Sequence, residues 1–119
     1  MKFHHIGIAT KDLKSSLEFV QKNFEVLEVS EEIFDENQNA TLQMIKTKDL
    51  NIELVSGKVV EKLIASKITY YHICYEVEDI YGKIEEFQKN GGAMLVSSVK
   101  PAILFDNRLV AFLMTPLGL

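Results

Sequence analysis

The sequence has no tryptophan, one cysteine and two prolines among 119 residues. A single cysteine excludes an internal disulfide and suits a reducing compartment. Only Pro101 and Pro116 are present, and no Pro/Gly/Ser-rich stretch divides the chain, so no linker is expected. No apolar run approaches the ~18–20 residues of a membrane span. Positive charge is also scarce: the net charge is −4 and the pI about 5.4, so the basic footprint of a nucleic-acid binder is missing. Met1-Lys2-Phe3-His4-His5 leads straight into a strand-like run with no signal-peptide pattern. What is present is ordinary globular composition, 47% hydrophobic and 25% charged. The expectation is one cytoplasmic domain over residues 1–119, with no nucleic-acid or membrane partner.

The apolar period changes several times along the chain. Phe3 to Ala9 is short and Ile-rich and reads as a strand. Leu13, Leu17, Val20 and Phe24 then recur on one face of a helix, with Thr10 or Asp12 able to cap it. Val26 to Phe34, Thr41 to Thr47 and Leu50 to Ser56 read as three strands. Val59 to Lys67 reads as a short helical connector. Tyr70 to Val77 is a second β-branched and aromatic strand. Asp79 can cap a helix with the apolar face Ile80, Ile84 and Phe87, which stops at Asn90-Gly91-Gly92. Ala93 to Val99 and Leu109 to Met114 complete the expected strands.

The two halves repeat at an offset of 67. His5-Ile6 matches His72-Ile73, Asp12 matches Asp79, Glu18 matches Glu85, and Gln21-Lys22-Asn23 matches Gln88-Lys89-Asn90. That makes seven identities in nineteen positions without a gap, and they share the expected element boundaries. The chain therefore reads as an α+β fold of two tandem βαβββ modules: module one over 1–58, a connector over 59–69 and module two over 70–119. At the same offset Ile52 maps onto Leu119 and Glu53 onto position 120. The expectation is a short continuation that carries the second copy's last strand with a carboxylate at position 120, missing here through truncation or disorder, or else a partner chain that fills the gap.

Side chains of a strand alternate between faces. His5, Gly7 and Ala9 share one face, as do His72, Cys74 and Glu76, and as do Asn51, Glu53 and Val55. Two histidines at repeat-related positions and a glutamate thus fall on one side of the sheet. Two neutral imidazoles and a carboxylate suit a divalent metal: Zn, Ni, Co, Mn or Fe. The bland alternative is two satisfied core histidines and a solvated glutamate; the matched positions favour a site near a pseudo-twofold axis. Gln43 can face the pocket and hold substrate, or be an exposed strand amide. Arg108 can bind an anionic substrate, or belong to a polar turn. Cys74 is a thiol on the pocket face, more simply a small buried cysteine. His4, next to His5, is expected on the opposite face with a structural role.

His4-His5-Ile6-Gly7-Ile8-Ala9 with Asp12-Leu13 resembles the opening of vicinal oxygen chelate proteins. Ile52-Glu53-Leu54, Tyr71 to Ile80 and Asn107 to Leu113 are similar to that family's later strand motifs. The family includes glyoxalase I, methylmalonyl-CoA epimerase, extradiol dioxygenases and bleomycin-resistance proteins. The resemblance covers nearly the whole chain and is nearest to the epimerase and glyoxalase branches. It implies paired βαβββ modules in a half-open barrel around one metal held by His5, Glu53 and His72, with a fourth ligand at position 120. It further implies a homodimer and a lyase or isomerase that moves a proton next to a small molecule's carbonyl, the metal acting as Lewis acid. Binding without catalysis, as in the resistance proteins, or an inactive truncated member, is the alternative.

Overall fold

The computed structural model describes residues 1–119. The chain opens with β1 (Lys2–Ala9) and α1 (Leu13–Asn23). Asp12 caps α1 by accepting from the Lys14 N–H at 3.1 Å. Then come β2 (Val26–Val29), β3 (Ile33–Asp35), β4 (Ala40–Thr47) and β5 (Asn51–Gly57). A 3-10 turn at Lys58–Val60 and the short α2 (Glu61–Ala65) form the expected helical connector. The second half runs β6 (Tyr70–Glu76), α3 (Ile80–Asn90), β7 (Met94–Leu95), β8 (Lys100–Ala102), β9 (Arg108–Val110) and β10 (Leu113–Met114). Asp79 caps α3 as Asp12 caps α1, accepting from the Gly82 N–H at 3.1 Å. The offset of 67 carries α1 onto α3 end to end, Leu13 onto Ile80 and Asn23 onto Asn90.

This is an α+β fold with a curved sheet that does not close into a barrel. Its strands run β2-β4-β5-β1-β6, with β3 also paired to β4. At the centre, β1 is parallel to β5 and antiparallel to β6. Ile6 pairs with Ile73, flanked by the pairs His5–Cys74 and Gly7–His72. The offset exchanges those two flanking pairs, so a pseudo-twofold axis passes through Ile6 and Ile73. The same offset carries the pair Ile6–Ile52 onto Ile73 and Leu119, and the Ile73 N–H donates to the Leu119 carbonyl at 3.0 Å.

One face of the sheet packs on α1. Leu13 and Val20 meet Ile45, Ile52 and Leu54, with Ile6 and Ile8 alongside. The other face carries a second core of Ala9, Ala40, Leu42, Val55, Val60 and Tyr71. Burial of such aliphatic side chains stabilises the fold by about 1.5–3 kcal/mol each. α3 differs from α1 in having no buried residue; its Ile80, Ile84 and Phe87 line a cleft beside β6.

Three expected strands are shorter than the sequence suggests. Val26 to Phe34 is interrupted at Ser30, whose hydroxyl accepts from the Met44 N–H at 2.8 Å and stands in for a ladder partner. Ala93 to Val99 is reduced to β7, and Leu109 to Met114 is split into β9 and β10. The repeat-related Ser97 does the same there, accepting from the Phe112 N–H at 3.0 Å. Hydropathy cannot register such side-chain substitutions in a ladder.

Candidate metal centre

The site is assembled by strand register. Gly7 on β1 pairs with Glu53 on β5 and with His72 on β6, which forms a row across three strands. His5 lies two residues along β1 on the same face. Gly7 leaves the middle of the row open, and the His72 ring occupies that space. His5 Nε2 and His72 Nε2 are 3.0 Å apart. Glu53 Oε1 is 3.4 Å from His72 Nε2 and 3.7 Å from His5 Nε2. All three residues are at most 4% exposed.

Burial dominates the electrostatics. It lowers His5 to about 3, with His72 and His4 adding to the effect, and lowers His72 to about 4. Both imidazoles are therefore neutral at ordinary pH, the form that ligates metals. Burial, and then the nearby Asp35 charge, raise Glu53 to about 8. A buried carboxyl facing two imidazole nitrogens lacks a positive partner, and a divalent cation would supply one. The donor set of two imidazoles and one carboxylate fits such an ion.

The centre opens into a largely apolar cleft of about 540 Å³. Phe105 stacks on His5 with ring centroids 5.5 Å apart, and Phe112 meets His72 edge-on at 5.4 Å. On one wall Asp35 accepts from Gln38 Nε2 at 2.9 Å, and the Tyr71 hydroxyl donates to Gln38 Oε1 at 3.4 Å. Asp35 and Gln38 fall between two expected strands and carry no signal in the sequence, because the turn's return to the cleft depends on the β3–β4 pairing.

Residues 4–112 match the family model described as the Glyoxalase/Bleomycin resistance protein/Dioxygenase superfamily. The chain belongs to that superfamily. Methylmalonyl-CoA epimerase from Mycobacterium tuberculosis shares its fold, with a TM-score of 0.80 at 17% identity over 94% of this chain and 77% of that one. A hypothetical protein from Bacillus halodurans C-125 gives a TM-score of 0.73 at 25% identity, covering 94% of this chain and 83% of that one. No curated protein sequence matches the chain.

The remaining residues singled out from the sequence fall unevenly around this superfamily's cleft. Arg108 lines it, but its guanidinium lies 3.4 Å from Glu76 Oε2. Gln43 requires a correction. It pairs with Leu54 on the α1 side of the sheet, away from the cleft, and donates to the Ser30 carbonyl at 3.0 Å. The physical reason is register: β4 turns Leu42 and Met44 to the cleft side, which leaves Gln43 on the other. Cys74 lines the cleft with its thiol pushed up to about 12, first by burial and then by Glu53 and Glu76, which makes it a poor nucleophile. His4 also departs from expectation: it does not face away from His5 but touches it, Nδ1 to Nδ1, at 2.7 Å.

Proposed function

We propose that this member of the superfamily is a metal-dependent lyase or isomerase of the glyoxalase and epimerase type, acting next to the carbonyl of a small thioester or hemithioacetal. The observation that carries the reading is the convergence of His5 Nε2, His72 Nε2 and Glu53 Oε1 within 3.0–3.7 Å at the buried end of an apolar cleft. These three residues would hold one divalent ion, Zn, Ni, Co, Mn or Fe. When bound, the metal would supply a Lewis acid for a substrate oxygen. The chain's own part is to orient and to desolvate: Phe105, Phe112 and Leu104 line the cleft and exclude water from the end where the ligands meet. Arg108, at the cleft, would meet an anionic group of the substrate at some cost to its pairing with Glu76.

The test is proton exchange. The protein, loaded in turn with each divalent ion, is incubated in D2O with a methylmalonyl thioester and with a hemithioacetal, and exchange at the carbon next to the carbonyl is followed by NMR. Exchange with at least one metal, lost in His5→Ala and His72→Ala, supports the reading; no exchange with any metal contradicts it. Ligand binding without turnover is the second reading, favoured by the apolar lining of the cleft. It predicts that the same compounds bind by calorimetry without exchange.

A further inference from the structure

Neighbouring residues of a regular strand face opposite sides of a sheet, which would separate His4 from His5. The structure breaks that rule at His4. Lys2 pairs with Glu76 and Phe3 with Tyr75, yet His5 pairs with Cys74, so β1 carries one extra residue in a bulge at His4. Bulges re-aim side chains and recur beside functional sites. This one brings His4 Nδ1 to 2.7 Å from His5 Nδ1. The His4 carbonyl accepts from Asn51 Nδ2 at 3.0 Å, and the Phe105 ring packs edge-on against the His4 ring with centroids 5.3 Å apart. On its outer side His4 Nε2 faces Glu76 Oε1 at 3.7 Å, and Arg108 Nη2 holds the other Glu76 oxygen at 3.4 Å. A row Arg108–Glu76–His4–His5 therefore runs from the surface to the buried centre.

We propose that Glu76 and His4 are positioning residues that fix the tautomer of His5, so that its unprotonated Nε2 faces Glu53 and His72. An ionised carboxylate accepts and cannot donate, so its charge favours the His4 tautomer with the proton on Nε2, toward Glu76. His4 Nδ1 is then a lone pair. Of two nitrogens 2.7 Å apart, one must donate, so His5 donates from Nδ1. A neutral imidazole has one ring proton, which leaves His5 Nε2 bare. The reverse tautomers would aim an N–H of His5 at the point where the three ligand atoms meet. His72 has no equivalent device, since its Nδ1 is buried without a partner. The two repeat-related histidines are thus unequal: His5 is preset for ligation and His72 is not. The purpose of this arrangement rests on the metal-site reading above, whereas the tautomer itself does not require a metal.

The chain has three histidines, so long-range 1H–15N spectra of the metal-free protein resolve every imidazole at neutral pH. The expected result is His5 protonated on Nδ1. Its Nδ1–H fraction should fall in Glu76→Gln and His4→Leu, with zinc affinity by calorimetry falling about tenfold or more in His4→Leu. His4→Asn, whose amide oxygen can take the place of Nδ1, should restore both. His5 protonated on Nε2 in the wild type overturns the proposal even if a variant fails to fold. So does an Nδ1–H fraction unchanged in both folded variants. A wild-type chain with the Nδ1–H tautomer and no zinc binding sustains the tautomer proposal and overturns the metal reading instead.

Discussion

The imidazole of His72 lies where a side chain on Gly7 would stand: a Cβ there would be 2.6 Å from both His72 Nδ1 and Nε2. Gly7 is needed for this close approach and not for an unusual backbone angle, since it lies in β1 without a positive φ. Gly7→Ala should displace the ring and overpack the centre, at a cost of about 1–3 kcal/mol. The expected outcome is a lower melting temperature together with a loss of zinc affinity of at least about tenfold. Unchanged affinity, measured by calorimetry, would remove Gly7 from the account.

Opposed titrations shape the stability of the metal-free protein. His5 and His72 drop from 6.5 to about 3 and 4, while Glu53 rises from 4.5 to about 8. From about pH 4 to 6.5 the unfolded chain binds more protons at the two histidines, so they make stability rise with pH. From about 4.5 to 8 the native chain keeps the Glu53 proton that the unfolded chain loses, so Glu53 makes stability fall with pH. His5 and His72, joined by His4 whose pKa burial also lowers, outweigh one carboxyl up to about 6.5, and above that the Glu53 effect prevails. Thermal melts should therefore peak near pH 6.5 and decline toward 8. Glu53→Gln should abolish that decline. A wild-type optimum at pH 8, or a decline that survives in Glu53→Gln, is the contrary outcome.

Much of this was legible in the sequence. The offset of 67, the two Asp-capped helices and the shared face of His5, Glu53 and His72 follow from local periodicity and identity, and local rules hold where strands are regular. The failures sit where a strand is irregular or its register decides. Strict one-residue alternation puts His4 on the far face, and the bulge that overrides it is set by pairing with β6. Alternation alone leaves Gln43 free to face the pocket or solvent, and only its pairing with Leu54 fixes its side. The strand breaks at Ser30 and Ser97 arise from hydroxyls that replace ladder partners, which hydropathy does not encode.

The position of Gln43 gives a direct check. Its Oε1 is buried without a partner while its Nε2 bonds to the Ser30 carbonyl. Gln43→Met gives up one hydrogen bond and removes one unpaired acceptor, two effects of about 1 kcal/mol each with opposite sign. Stability should change by less than about 1 kcal/mol in chemical unfolding, with zinc affinity and ligand binding unaltered. A large loss of ligand binding would return Gln43 to the cleft.

A homodimer is expected from the exposed apolar surface. Phe3 and Tyr75 pack edge-on at 5.9 Å yet remain 41% and 44% exposed, where β6 ends the sheet. Exposed edges and aromatic patches favour association. Light scattering at micromolar concentration should give twice 13.5 kDa. A species of 13.5 kDa, unchanged on concentration, would argue for a monomer.

The metal centre itself is tested most directly by zinc X-ray absorption on the purified, zinc-loaded chain, with metal counted per chain in parallel. The expected result is one zinc per chain with two imidazole nitrogens at about 2.0–2.1 Å and carboxylate oxygen at about 2.0–2.2 Å. His5→Ala and His72→Ala should each lose one imidazole from that shell, with circular dichroism unchanged. A substoichiometric metal content, or an imidazole count that survives both substitutions, would contradict the assignment of His5, Glu53 and His72 as the centre.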